Sequence, residues 1–365
     1  MKTIISVIND VIREGGAECL PCDKVNLDYE RLSEYRDSDE HQAKDLFEYP
    51  APTRKTISTL NIDAKIPSIL RYFLDGSRRT YKIADLRVRG RYLPLIAGQV
   101  GVAILCRNEN TLTVKPLREF CIIENVLSFP DEVTNQEDIA FLSQRITDET
   151  GHAFKMLRYS VKDERDPVDL GVAKIMSHMA FLELKAVQEL SDKRLLQSNS
   201  ILIKDGPLRY KNIEGRGFDI TQFRNVVGLS KTFRPSFALG TGRGKTDVGV
   251  VTSSLGMGER TPVFKTLEED KFIGMWYLRI RPRERMSNPL QGIVKMECYA
   301  IDKDEEERGL DNERINGISA HILRERNVSP YGKDSRWATH IYPIYQAETF
   351  IKSSLLSDIH FEAIF

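Results

Sequence analysis

Residues 66–77 read Ile-Pro-Ser-Ile-Leu-Arg-Tyr-Phe-Leu-Asp75-Gly76-Ser77, and residues 200–208 read Ser-Ile-Leu-Ile-Lys-Asp205-Gly206-Pro-Leu208. Each closes an apolar, strand-like run on Asp-Gly. An acid at a strand end has its carboxylate held by rigid backbone, and the glycine behind it lets the chain turn away. Two such carboxylates brought together make the oxygen-rich kind of site that holds Mg²⁺ or Mn²⁺. The two phrases therefore predict strands that end at Asp75 and Asp205 and meet in the fold.

Outward from Asp75 the chain stays β-like, through Ala84-Asp-Leu-Arg-Val-Arg89 and the Val- and Ile-rich run Tyr92–Leu105, which reads as a buried strand. Helical patterning dominates from about residue 110 to 195. Its best stretch is Val172–Leu195, where Ile175, Met179, Leu182, Ala186 and Leu190 recur every three or four residues. Past Asp205 come the run Val226–Thr232, strands over Lys271–Ile280 and Gly292–Ala300, and helices over Ile315–Glu325 and Ile344–Leu356. Strands, helices and strands again predict an α/β protein with a mixed sheet flanked by helices. With 365 residues, one elaborated domain or two are expected. Residues 1–65 carry only scattered apolar positions before the break at Pro50-Ala-Pro52, and read as an N-terminal helical segment suited to an interface. Residues 66–365 form the main domain.

Lys+Arg and Asp+Glu are equal at 53 each, so net charge argues neither for nor against nucleic acid; only local clustering can. No run approaches 18 apolar residues, and the opening Met1–Asp10 is too short and too soon acidic for a signal peptide, which predicts a cytoplasmic protein with no membrane partner. Five cysteines fit a reducing compartment. Cys19-Leu-Pro-Cys22 lacks a second pair or a C-x-x-H at zinc-finger spacing and reads as a pair of loop cysteines.

Two further acids sit in apolar company. Glu183 lies between Leu182 and Leu184, where an unpaired buried carboxylate would cost several kcal/mol, so it is expected exposed, paired or metal-bound. Glu348 lies one helical turn from Ile344 and Ile351. The ordered set of Asp75-Gly-Ser77, the helix Glu, Asp205-Gly-Pro-Leu208, Val226-Val-Gly-Leu-Ser-Lys-Thr232, Met296-Glu297 and Tyr342-Pro343 resembles the NurA nucleases. That resemblance spans residues 66–356. It implies a ribonuclease-H-like fold that cuts DNA with Mn²⁺ or Mg²⁺, two ions held by Asp75, Glu183 and Asp205, with Glu189 as the alternative helix ligand. The family usually places Ala-His or Ala-Asp in the last helix, where this chain has Ala347-Glu348, so Glu348 is expected as a fourth oxygen ligand. The resemblance also implies a homodimer working with a hexameric HerA-type ATPase, in DNA-end processing or anti-phage defence. The alternatives are a non-catalytic DNA-binding scaffold on the same fold and, less favoured for want of a segment suited to gripping a guide strand's 5′ end, an Argonaute-like PIWI module.

Lys231, after the run at Val226, reads either as a contact to the scissile phosphate or as a surface lysine at a strand end. Seven basic residues between 71 and 91, among them Arg78, Arg79 and Arg89, face only Asp75 and Asp85 and suit a phosphate backbone. Arg279, Arg281, Arg283 and Arg285 alternate, so an extended strand would aim them one way, toward DNA or along a charged edge. Gly240-Thr-Gly-Arg-Gly-Lys-Thr246 is no P-loop, since Leu239 stands where the first glycine is required. It reads as a loop carrying Arg243 and Lys245 toward DNA, or as a plain loop.

Overall fold

A computed structural model describes residues 2–28, 45–53, 56–59, 62–63, 65–108, 113–133, 136–161, 165–208, 219–239, 246–268, 270–325, 328 and 335–365. Its longer strands are Glu18–Asn26 (β1), Leu70–Val88 (β2), Arg91–Arg107 (β3), Ile122–Pro130 (β4), Lys155–Tyr159 (β5), Ile201–Asp205 (β6), Val226–Ser230 (β7), Phe264–Glu268 (β8), Lys271–Arg279 (β9) and Ile293–Tyr299 (β10). The longer helices are Ile4–Ile12 (α1), Gln136–Thr150 (α2), Pro167–Asp192 (α3), Asn312–Arg324 (α4) and Tyr342–Ser354 (α5).

The two Asp-Gly phrases lie side by side in the middle of a 13-stranded mixed sheet whose central order is β9-β10-β7-β6-β2-β3-β4-β5. β2, β6 and β7 run parallel to one another, while β3 is antiparallel to both β2 and β4. The expectation of a mixed sheet flanked by helices holds. Within the stretch expected to be mainly helical, β4 and β5 are strands; both carry β-branched or aromatic residues and pair in parallel with each other.

β2 does not end at Asp75. It runs unbroken through Asp75-Gly76-Ser77 to Val88, turns at Arg89-Gly90 and returns as β3, paired along almost its whole length. Its other edge is shared. Leu70–Leu74 pair with the short β6, and Tyr81–Arg87 pair with β1. This overturns the expected N-terminal helical segment. Only α1 and a following turn are helical there among the described residues, and β1 belongs to the main sheet because β6 is too short to cover the edge of a 19-residue strand. Cys19 and Cys22 accordingly lie in a strand rather than a loop; burial pushes the Cys19 thiol up to about 12, so it stays protonated and unreactive.

Alternation along the central strands separates two cores. Phe73, Ile201, Ile203, Val227 and Leu229 face α4 and α5, whereas Tyr72, Leu74, Leu202 and Val226 face α3. α3 begins at Pro167, with Asp166 capping it by accepting from the Val168 amide at 2.9 Å, so the helix opens before the first residue of the apolar stripe. A buried staple ties the first core to the segment upstream of β2. Glu48 pairs with Arg260, both side chains fully buried, and accepts from the Val263 amide at 3.0 Å and from Asn312 Nδ2 at 2.6 Å.

Candidate active site

The β2–β6 register ends on the pair Leu74 and Lys204, which sets Asp75 and Asp205 next to each other on adjoining parallel strands, about 5 Å apart in the backbone. Both belong to the residues that point toward α5, as Phe73 and Ile203 do. On the next strand Leu229 pairs with Asp205, and Lys231, two residues on, returns to the same face. Glu348 comes from α5, whose Ile344, Ala347 and Ile351 are seated in the core beneath it. Asp75, Asp205, Lys231 and Glu348 are thus brought to one face.

Lys231 stands at the centre of this group. Its Nζ is 2.9 Å from Asp205 Oδ2 and 3.6 Å from Glu348 Oε2, and it also meets His340 Nε2. His340 Nε2 also lies 3.4 Å from Glu348 Oε2, so the imidazole stands between the lysine and that carboxylate. Lys352, one turn along α5, holds Glu348 Oε1 at 2.6 Å. Burial and then the Asp205 carboxylate push the Asp75 carboxyl well above the usual range. Burial pulls the Lys231 ammonium down, but the charges of Asp205, Asp75 and Glu348 outweigh it and its pKa is raised. Burial pushes Glu348 up, and Lys231 and Lys352 more than reverse that, bringing it down to about 2.

Glu183 comes to the same level along the strands but to the opposite face. The nine residues of α3 beyond it and the first four steps of β6 both cover about 13 Å, which is why the 22-residue spacing returns the chain to the height of Asp205. Its Oε2 pairs with Lys204 Nζ at 2.9 Å, and Lys204 also donates to the Asp205 carbonyl at 2.8 Å. Burial raises the Glu183 carboxyl, and Lys204 only partly offsets this. Glu189, the alternative, pairs with Lys185 on the helix surface at 3.8 Å and stays away from the sheet. The expected convergence of Asp75, Glu183 and Asp205 is therefore divided by the sheet: two acids on one side, the third on the other.

Gly76 has a different task from the one its motif suggests. It makes no turn. A Cβ at this position would lie 2.4 Å from Glu183 Oε1 and 3.2 Å from Met179, so glycine is what lets the Glu183 carboxylate rest on the strand. Gly76→Ala is expected to push Glu183 off Lys204 and destabilise the fold by about 1–3 kcal/mol, as overpacking does. A urea midpoint equal to wild type would refute this contact. Gly206, by contrast, does end its strand, with φ of +83°. That turn is held from β10, where Glu297 Oε2 accepts from the Leu208 amide at 2.9 Å and Lys295 sits 3.1 Å from the same carboxylate.

The basic residues divide sharply. Arg279 is fully buried and donates to the carbonyls of Leu255, Gln291 and Pro289, so it does not reach DNA. Arg281 donates to the carbonyls of Ala338 and Val328 and stacks over Trp337. Both correct the expectation of a DNA-facing array, because β9 is an interior strand rather than an edge. Arg78 is spent on Asp28 and Thr80, and Arg79 on Asp358 and the Leu356 carbonyl. Arg89 is exposed at the hairpin tip, about 45 Å along β2 from Asp75, too far to serve the same site. Arg243 and Lys245 lie outside the described residues.

Sequence reading missed His340, Lys204 and Lys352. His340 carried a usable signal, an imidazole placed just before the Tyr342-Pro343 start of α5. Its Nε2 lies 3.4 Å from Glu348 Oε2.

Asp75 Oδ2 and Asp205 Oδ1 are buried and accept no hydrogen bond, a cost of about 1–3 kcal/mol for each, more when charged. Two bare carboxylate oxygens on neighbouring strands fit a hard divalent cation. Among the described residues, however, no three acidic, histidine or cysteine side chains are gathered closely enough to hold an ion as they stand. The Lys231 ammonium lies among the acids instead. No helix among the described residues is long and apolar enough to cross a membrane. No family model and no curated protein matches the chain.

Proposed function

We propose that this chain is a divalent-metal-dependent deoxyribonuclease built on a ribonuclease-H-like core. The observation that carries the reading is the pair Asp75 and Asp205, on adjoining parallel strands and one face, each with a buried carboxylate oxygen that has no partner. Support for the core comes from the strand order β4-β3-β2-β6-β7, with β3 alone antiparallel among its neighbours and α3 crossing over before β6.

Asp75 and Asp205 would hold Mn²⁺ or Mg²⁺, with Glu348 completing the oxygen set. Bound there, two such ions supply an activated water and neutralise the charge on the leaving oxygen. Lys231, beside Asp205 and Glu348, would touch a phosphate oxygen of the bound DNA. Glu183 acts from behind the sheet through Lys204, which fixes the backbone at Asp205, and is a positioning residue in this reading. A HerA-type ATPase, a homodimer and a role in DNA-end processing or anti-phage defence rest on the sequence resemblance alone.

The second reading is a DNA-binding scaffold, and one observation favours it: Lys231 already neutralises the acids. Incubating the purified chain with linear DNA separates the two. Cleavage that requires Mn²⁺ or Mg²⁺ and stops with chelator, without any guide strand, is the expected result. DNA binding with no cleavage under either metal would favour the scaffold.

A further inference from the structure

We infer that Lys231 is a built-in counter-cation that competes with the divalent ion for Asp75, Asp205 and Glu348, holding the acids together without metal and swinging aside when metal enters. The inference rests on the metal-dependent reading above and goes beyond it by making lysine displacement part of metal binding.

The geometry supports each half of the exchange. Without a cation, three carboxylates on one buried face would repel one another; the ammonium at 2.9 Å from Asp205 and 3.6 Å from Glu348 relieves this. Yet it leaves the cluster half-satisfied, with Asp75 Oδ2 and Asp205 Oδ1 still bare. A divalent ion carries twice the charge and would satisfy both oxygens, so it is the better occupant. Lysine suits the role of a removable one, being a compact point charge on a flexible four-carbon stem, which a rigid guanidinium fork is not.

Lys231 also has somewhere to go. His340 Nε2 already meets it, on the side where Glu348 Oε2 stands 3.4 Å from the same nitrogen. Withdrawal toward His340 would free the Asp75, Asp205 and Glu348 oxygens while keeping the ammonium beside a polar partner. The imidazole thus acts as a parking place for the displaced ammonium.

Lys231→Met keeps the length and apolar stem and removes the charge. Mn²⁺ binding is measured by electron paramagnetic resonance titration, and thermal unfolding with and without Mn²⁺. The variant is expected to melt lower than wild type without metal, to bind Mn²⁺ at least tenfold more tightly, and to gain a larger rise in melting temperature at saturating Mn²⁺. Lys231→Gln, which keeps a hydrogen-bond donor for Asp205 without the charge, serves the same test if the methionine variant does not fold. Equal or weaker Mn²⁺ binding by the uncharged variants, with wild type binding normally, would overturn the inference and leave the metal reading standing. Absence of Mn²⁺ binding in wild type and variants alike would overturn both.

Discussion

Asp75→Asn is expected to slow cleavage of linear DNA by more than a hundredfold and, at the same time, to raise the melting temperature of the metal-free protein. The loss of rate follows from removing a charged ligand at the reacting phosphate; about 3 kcal/mol of transition-state stabilisation is enough for that factor. The gain in stability follows from the carboxyl's environment. Burial and the neighbouring Asp205 charge hold the Asp75 carboxyl well above its usual range, so the fold prefers it protonated. A group whose folded pKa is raised contributes stability below its unfolded value of about 4 and loses it as pH climbs through the folded value. Above the unfolded value this preference works against folding, and an uncharged amide of the same shape removes that penalty. The two proteins should melt alike near pH 3, where Asp75 is protonated in both states, and diverge toward pH 7. A variant that cuts DNA at wild-type rate, or that melts lower at pH 7, contradicts the assignment. The trade is the one expected of a site that sacrifices stability for chemistry.

Arg260→Ala is expected to destabilise the protein by about 3–5 kcal/mol, the cost of leaving one member of a buried ion pair uncompensated. Glu48 would keep the Val263 amide and Asn312 but lose the Arg260 guanidinium, in a position where neither partner's side chain touches solvent. The effect should appear as a lower urea midpoint with little change in slope, since the surface exposed on unfolding is the same. Replacing both residues together by apolar ones should cost much less than Arg260→Ala alone, because the stranded charge is then absent. A midpoint within error of wild type for Arg260→Ala would mean that the residue 45–49 segment is not held to the core through this pair.

Much of the fold could be read directly. The runs at Ile201–Asp205, Tyr92–Leu105 and Lys271–Arg279 are strands because apolar, β-branched and aromatic residues fill them, and α3 follows its stripe of Ile175, Leu182, Ala186 and Leu190. Asp205-Gly206 is a strand end because a glycine at positive φ stops the ladder there. These are properties of a residue and its near neighbours along the chain, and local sequence carries them.

What depended on partners far along the chain did not show. Asp75-Gly76 looks the same as Asp205-Gly206 in sequence, yet its strand continues; its glycine answers to Glu183, more than 100 residues away. β1 is a strand because β6 leaves the edge of β2 open, which no feature of residues 18–26 announces. Arg279 alternates like a surface array and is buried among carbonyls because β9 has neighbours on both sides. The acids themselves were legible as residue types, since carboxylates in apolar company stand out. Their division was not. Strand register decides which face a side chain takes, and a helix can lie on either; so Asp75 and Asp205 met with Glu348 around Lys231 and His340, while Glu183 was left on the far side with Lys204. Sequence determined which groups this protein has for its chemistry, and tertiary structure alone decided which of them share a face and which cation holds them there.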